Sequence, residues 1–210
     1  MGTESEVMTE INDRQPIIVA DAGPLIRLAA AGLLESLRGL NRRIVMVDRV
    51  EAEVTGDRSK PFASEIAAWI ESMGDAVLRV ETVTGVGIAA LQKTERTPAQ
   101  DRLLKQSMRD SGELAVREFI GHWRPTETLS ALVVYEDARV ASLFVAADFP
   151  VTIMTTRKFV DLIASWGVNV DARAALEAIA TLYDLKPGLI AEIDPDTPVD
   201  LRTLPQGLKS

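Results

Sequence analysis

The sequence predicts a three-layer α/β/α fold, in which a mostly parallel sheet of five strands is covered by helices on both faces. Five short segments rich in β-branched residues alternate with longer segments whose apolar residues recur at helical spacing. The short segments are apolar throughout, which is typical of strands buried on both faces of a parallel sheet. A chain of 210 residues, 47% hydrophobic and 26% charged, has the composition of one soluble globular domain.

The individual elements follow from these patterns. The predicted strands cover residues 17–20, 44–47, 77–80, 132–135 and 151–154. A first helix is predicted to begin near Pro24 and to end at Gly39, because leucines keep helical spacing between them. Further helices are predicted at residues 61–73, 113–123, 137–147 and 157–166.

Two segments depart from the alternation of strands and helices. Residues 85–109 are charged and are predicted to be partly helical, with a break near Pro98, as a solvated excursion or a lid. Residues 171–184 predict an amphipathic helix, and four prolines beyond it predict extended chain to Ser210. The predicted organisation is a polar N-terminal tail at 1–15, one domain at 16–168, and a C-terminal helix with a proline-rich tail at 169–210.

The composition excludes several kinds of chemistry. No cysteine and a single histidine, His122, exclude disulfides, thiolate nucleophiles, the usual structural zinc sites and reactions that need two imidazoles. A net charge of −8 argues against a broad nucleic-acid-coating surface, although acids with bound divalent cations can still hold a phosphate. No apolar run is long enough to span a membrane and the N-terminus lacks the features of a signal peptide, so we expect a cytoplasmic protein without a membrane partner.

Carboxylates follow several of the predicted strands. In open α/β sheets, ligands bind at the carboxyl ends of the strands, where the strand order reverses. The acids at these ends, or at the starts of the following helices, are Asp21, Glu51, Glu53, Asp110, Glu113, Glu136 and Asp137. We therefore expect four separate segments to bring carboxylates to one rim of the sheet.

Each acid also has an ordinary structural interpretation. Asp21 and Asp137 suit helix caps, and Glu113 suits the first turn of a helix. Only one of Glu51 and Glu53 is expected to face inward. Together, converging carboxylates raise one another's proton affinity, and a bound cation offsets this free-energy cost. Mg²⁺ and Mn²⁺ prefer oxygen ligands of this kind.

Four motifs along the chain resemble a known family. They read "IIVADAGPLIRLA", "VDRVEAEV", "SGELAVREF" and "ALVVYEDARVASLFVAADFPVTIMTT", in this order. They resemble the PIN-domain ribonucleases, especially the branch whose first motif reads Asp-x-Gly-Pro-Leu and whose third carries Gly-Glu. The resemblance covers residues 16–168 and leaves both tails outside it. Many members of the family are toxins of bacterial toxin-antitoxin pairs.

The resemblance implies a PIN-like fold and a set of metal-binding acids. Matched by position, these acids are Asp21, Glu53, Glu113 and Asp137, with Glu136 as an adjacent candidate. The family often has Thr or Ser after its first Asp, where this chain has Ala22. Its third acid is more commonly Asp, so that Asp110 is a possible substitute for Glu113.

The reaction implied by the resemblance is hydrolysis of an RNA phosphodiester with Mg²⁺ or Mn²⁺ as cofactor. Its implied partners are RNA, a cognate antitoxin and a second copy of the chain. Candidate phosphate contacts are Arg139, Thr155, Arg157 and Lys158, each of which also suits an ordinary surface position. Two other functions stay open: a catalytically silent PIN-like scaffold that binds protein or RNA, and, less favoured, a phosphoacceptor signalling domain.

Overall fold

The fold was analysed in a computed structural model, which describes residues 16–123, 130–135, 150–167, 171, 174–175, 177–178 and 199–200. Five parallel strands form the sheet in the order β3-β2-β1-β4-β5, and a two-residue strand, β6, pairs antiparallel with β5. The strands are β1 (Ile17–Ala20), β2 (Ile44–Val47), β3 (Val77–Val80), β4 (Ala131–Tyr135), β5 (Val151–Thr155) and β6 (Val199–Asp200). The prediction of five strands and a parallel sheet is confirmed.

The strand order reverses between β1 and β4. From β1 the chain moves to β2 and β3 on one side, whereas β4 and β5 lie on the other side. Register pairs Ala20 with Val134, and the Asp21 N–H donates to the Val134 carbonyl at 3.1 Å. Asp21 therefore follows β1 at the switch point, where open α/β sheets bind their ligands.

Helices occupy most of the remaining described chain, in a three-layer α/β/α arrangement. They are α1 (Ala22–Ala30), α2 (Leu34–Arg38), α3 (Asp48–Thr55), α4 (Ala63–Met73), α5 (Val83–Gln92), α6 (Pro98–Arg109), α7 (Ser111–His122) and α8 (Thr156–Ser165). The helices predicted at 61–73, 113–123 and 157–166 are confirmed as α4, α7 and α8. The short helix α3 was not predicted.

The single helix predicted between Pro24 and Gly39 is wrong, because the chain forms two helices there. After α1, Gly32 adopts a φ of +66°, in the left-handed region that favours glycine, and α2 begins at Leu34. Leu28 and Leu37 are nevertheless both buried. The break redirects the backbone while both helices keep leucines in the core.

The core is continuous across the central strands. Every residue of β1, β2 and β4 is buried, whereas the edge strand β3 exposes its two middle residues. Phe159, Val160 and Ile163 of α8 have no exposed surface. This burial explains why the central strand segments are apolar without alternation.

The charged excursion at 85–109 is helical, as α5 and α6. Pro98 is the first residue of α6, whose N-terminus has a capping box between Thr97 and Gln100. The break predicted near Pro98 therefore separates two helices. One part of α5 exposes apolar side chains to solvent, those of Val83, Val86 and Leu91.

Several predicted segments lie outside the described residues in whole or in part. These are the tail at 1–15, the helix at 137–147 and most of the helix at 171–184, of which residues 174–175 and 177–178 are helical. Val199 and Asp200 of the proline-rich tail are extended, as β6. Among the described helices none has the length and apolar character needed to cross a membrane.

Candidate active site

Asp21 occupies the N-cap position of α1, but its side chain does not cap the helix. Its backbone is extended, with φ −76° and ψ 170°, as is usual for the residue that precedes a helix. Its side chain accepts a hydrogen bond from the N–H of Ala22, the first residue of α1, but makes no capping hydrogen bond further into the helix. The helix-cap interpretation therefore does not account for this carboxylate, which is directed towards the neighbouring helices.

Glu53 comes to the same place from α3. This helix begins directly after β2, and its buried Val50 and Val54 fix which face lies against the core. Glu51 lies on another face and accepts from Arg79 at 3.1 Å. Of these two glutamates, only Glu53 is therefore directed towards Asp21, as expected from the sequence.

Gly112, in the first turn of α7, lies beside both carboxylates. A Cβ atom at Gly112 would stand 3.2 Å from Glu53 Oε2, 3.4 Å from Asp21 Oδ1 and 3.5 Å from Val50 Cγ2. The helix α7 packs against α3, and its N-terminal glycine permits this close approach. Three segments that are distant in sequence thus meet at one point beside the sheet's switch point.

Burial destabilises the ionised forms of both carboxylates. Burial raises the pKa of Asp21, and a hydrogen bond from the Ala22 backbone N–H opposes this shift. Burial also raises the pKa of Glu53, to which the negative charge of Asp21 adds, while Lys60 and Arg49 act in the opposite direction. Glu53 is exposed as a whole residue. We therefore place the burial at its carboxyl end, which faces Asp21.

Arg49 and Ser111 lie next to this pair. Arg49 donates from Nε to the Ser111 hydroxyl at 3.1 Å, and that hydroxyl donates to the Met108 carbonyl at 2.8 Å. Ser111 is buried, and it directly precedes Gly112. A guanidinium is therefore fixed at the N-terminus of α7, beside the carboxylates. Arg49 was not predicted as a site residue, although its position four residues before Glu53 places both on one helix face.

Asp48 is a further acid at a strand end that the sequence analysis missed. It begins α3 and accepts from the Thr82 hydroxyl at 2.8 Å, the Thr82 N–H at 3.1 Å and the Arg49 N–H at 2.8 Å. Thr82 is buried and caps α5 by accepting from the Gly85 N–H. Both carboxylate oxygens of Asp48 accept hydrogen bonds from Thr82, which join α3 to α5, so the role of Asp48 is structural.

Glu118 of α7 holds the same end of α5. Its carboxylate accepts from the Val83 N–H, from the Thr84 N–H at 2.9 Å and from the Thr84 hydroxyl at 2.8 Å. Burial acts to raise the pKa of Glu118, but these donors and the nearby His122 outweigh it, so the pKa is lowered. Asp48 and Glu118 together attach the helical excursion to the domain.

The remaining predicted site residues do not join the pair in the described chain. Glu113 follows Gly112 and is half-buried, and Asp110 is exposed and makes no side-chain cap. Thr155 ends β5 and caps α8 by accepting from the Lys158 N–H, while the buried Lys158 Nζ has no hydrogen-bond partner among the described residues. Glu136, Asp137 and Arg139 lie outside the described residues. Arg157 is half-buried in the first turn of α8.

The pair suits one hard divalent cation. Two neighbouring carboxylates whose pKa values are raised by burial form an oxygen donor set, and Mg²⁺ commonly binds through one or two carboxylates, with waters and substrate phosphates completing its shell. Over the described ranges, no three acids or imidazoles come together as a metal-binding group. Asp21 and Glu53 are therefore the residues that would hold such an ion.

The fold and the site together define an α/β/α protein with a carboxylate pair at the switch point of a parallel sheet. Comparison of the chain with protein-family models, with curated proteins and with solved structures gave no match.

Proposed function

We propose that the chain is a metal-dependent endoribonuclease, which hydrolyses RNA phosphodiester bonds at Asp21 and Glu53. One observation carries the proposal: these two carboxylates converge beside Gly112, next to the position where strand order reverses. A folded protein gains nothing in stability by bringing two acids with raised pKa together, whereas a cation site requires it. The resemblance of four motifs to the PIN-domain ribonucleases supports RNA as the substrate.

Within this proposal, the Asp21 and Glu53 side chains bind and orient a metal ion and do not transfer protons. Asp21 and Glu53 would bind the divalent ion, which when bound supplies Lewis-acid activation of the phosphate and of water. The ionised forms of both carboxylates are needed, and their raised pKa values make protons competitors of the cation. Activity is therefore expected to fall as the pH is lowered through the range in which the pair becomes protonated.

With the exception of Lys158, the remaining predicted residues keep their proposed roles. Glu113, Asp137 and Glu136 are proposed as further metal-binding acids. Arg139, Thr155 and Arg157 are proposed to contact the RNA phosphates, whereas the buried Nζ of Lys158 does not fit the contact predicted for it. A cognate antitoxin and a homodimer are proposed partners, on the resemblance alone. A reading frame for a small DNA-binding protein beside the gene would support the antitoxin, and light scattering in solution would test the dimer.

The central experiment measures cleavage of a mixed RNA by the purified protein with Mn²⁺ or Mg²⁺. We expect cleavage that EDTA abolishes, and a loss on the order of 100-fold in Asp21→Asn and in Glu53→Gln, the scale seen when a charge-stabilising group leaves an active site. Asp75→Asn and Glu95→Gln change exposed acids in the same way and serve as matched controls. Cleavage that survives EDTA, or that is equal in all four variants, would overturn the proposal.

A silent scaffold of the same fold is the second candidate. It is favoured by the presence of two, rather than three, converging acids in the part of the chain that the structure describes, and by Ala22 beside Asp21. Binding of Mn²⁺ would raise the melting temperature of such a scaffold through mass action. Stabilisation of the wild-type protein by Mn²⁺, lost in Asp21→Asn, without any cleavage of RNA, would select the scaffold.

A further inference from the structure

Arg49 is held beside the carboxylate pair without being paired to it. Its Nε donates to the neutral Ser111 hydroxyl at 3.1 Å. Glu53 lies four residues further along α3, a spacing at which side chains on a helix are neighbours, yet within the described residues these two form no ion pair. The Arg49 guanidinium is therefore fixed by a neutral partner, and among the described residues no acid forms an ion pair with it.

The Nη nitrogens of Arg49 are the groups that this arrangement leaves available. In the described chain, the only hydrogen bond from its guanidinium is the one from Nε. A guanidinium presents its donors as a rigid planar fork, which matches two oxygens of a phosphate. Fixing Nε on Ser111 immobilises that fork, so little conformational entropy remains to be lost when an anion binds.

The position of the fork relative to the acids is set by two consecutive residues of α7. Ser111 accepts from Arg49, and the Cα of Gly112 lies beside Glu53 and Asp21. An anionic substrate that reaches the carboxylates is repelled by them unless positive charge lies alongside. Arg49 supplies such a positive charge from the chain itself, and the hydrogen bond to Ser111 orients its guanidinium.

From this geometry we infer that Arg49 is a substrate-binding residue, which donates from its Nη groups to the non-bridging oxygens of an RNA phosphodiester at the Asp21 and Glu53 site. Ser111 is its positioning residue. The inference rests on the proposed function for the identity of the substrate. It extends that function, because it adds a phosphate contact from α3 to those proposed for the segments that follow β4 and β5.

The test is equilibrium binding of a short fluorescent single-stranded RNA in EDTA, with a gel to verify that the RNA stays intact. Binding is measured at several salt concentrations between about 50 and 200 mM. We expect Arg49→Ala to weaken binding about tenfold or more, and to reduce the slope of log K against log salt by about 0.7, the change for one lost phosphate contact on a single strand. A variant that merely loosened the fold would not lower this slope.

Two further variants sharpen the test. Arg49→Lys keeps the charge but loses the fork and the hydrogen bond from Nε, so it is expected to keep the salt slope while binding several-fold more weakly than wild type. Arg38→Ala is the matched control, because it removes an arginine of α2 that donates to Glu35 and Ser72. We expect wild-type affinity and slope in Arg38→Ala.

The outcomes separate the inference from the proposed function. RNA binding that depends on Arg49, without metal-dependent cleavage, supports the inference and overturns the nuclease. Metal-dependent cleavage with an unchanged affinity and salt slope in Arg49→Ala supports the nuclease and overturns the inference. Absence of RNA binding by the wild-type protein also overturns the inference.

Discussion

Asp21 and Glu53 direct their carboxylates at the same glycine. Glu53 Oε2 and Asp21 Oδ1 lie 3.2 Å and 3.4 Å from the position that a Cβ atom on Gly112 would take. Since a methyl group there would press on the Glu53 oxygen and touch that of Asp21, the spacing of the pair depends on a residue that carries no functional group. Gly112 is therefore the position at which the site can be disturbed without changing its charge.

The first prediction concerns Gly112→Ala. The added methyl must displace the Glu53 carboxylate by a few tenths of an ångström while it touches Asp21, so we expect RNA cleavage to fall on the order of tenfold to a hundredfold. Stability should change by less than about 1 kcal/mol, because alanine also favours the helix. Gly121→Ala, in the same helix with nothing within 4 Å of its added methyl, is the control and should cleave normally. Equal activity in the two variants would contradict the prediction.

The second prediction is that Asp21→Asn stabilises the protein. Burial raises the pKa of Asp21 above its ordinary value of 3.8, so the folded state binds the proton more tightly than the unfolded chain. Ionisation therefore destabilises the fold as the pH rises from 3.8 through the raised pKa, and the penalty is constant above it. At pH 7, without divalent ions, we expect a melting temperature higher by roughly a few degrees.

This gain should disappear towards low pH, where the protonated Asp21 carboxyl and the amide that replaces it in the variant are both uncharged. Thermal melts of the wild-type protein and of the variant across the acidic range measure the difference. Asp75→Asn, at an exposed position, should show no such dependence. A gain that stayed constant down to low pH would point to a cause other than ionisation.

The third prediction compares two glycines of α5. A Cβ atom on Gly85 would lie 1.7 Å from Asp48 Oδ2, and this carboxylate cannot move without losing its bonds to Thr82. Gly85→Ala should therefore destabilise the protein by about 2–3 kcal/mol. Gly87→Ala meets nothing within 4 Å and should stabilise it by up to about 1 kcal/mol. Urea denaturation measures both, and a similar sign in the two variants would refute the account.

The fourth prediction concerns Glu118→Gln and its dependence on pH. The pKa of Glu118 is lowered from its ordinary value of 4.5, so its stabilising effect is fully present above 4.5 and is lost as the pH falls through the lowered pKa. At pH 7 the variant should be less stable by about 1 kcal/mol, a value kept small because Glu118 is partly exposed.

Below the lowered pKa of Glu118, wild type and Glu118→Gln should converge in stability. Hydrogen exchange at the Val83 and Thr84 amides reports the same loss locally, since both donate to this carboxylate. Faster exchange at these amides in the variant, without a change in the central strands, is expected. Unchanged exchange would show that other contacts hold the end of α5.

The strands could be predicted closely because their signal is local. Continuous apolar runs reflect burial on both faces of the sheet. The observed ends of the strands differ from the predicted ends by at most one residue. The break at Gly32 was missed, because α1 and α2 both present leucines to the core and helical spacing continues across it. The helix α3 carried a readable signal, since Val47, Val50 and Val54 lie at helical spacing.

The site could be predicted only in part. Asp21 and Glu53 followed from their positions after strands and from the resemblance, and the structure brings them together. Gly112 belongs to the third motif and Arg49 lies four residues before Glu53, but their proximity to the carboxylate pair depends on the packing of α7 against α3, which the sequence does not reveal. The bonds of Asp48 join residues 34 positions apart. Asp137, Glu136 and Arg139 lie outside the described residues and stay predictions.

The pairing of β1 with β4 sets an order of events during synthesis. Ile17 pairs with Ala131, 114 residues later, and the Asp21 N–H donates to Val134. At translation speeds of about 5–20 residues per second, roughly 6–23 s pass between the synthesis of β1 and that of β4. A nascent chain can pair β1 with β2 during that time, but it cannot complete the turn that holds Asp21. We therefore expect a ribosome-bound fragment to lack the assembled site until most of the chain has been translated.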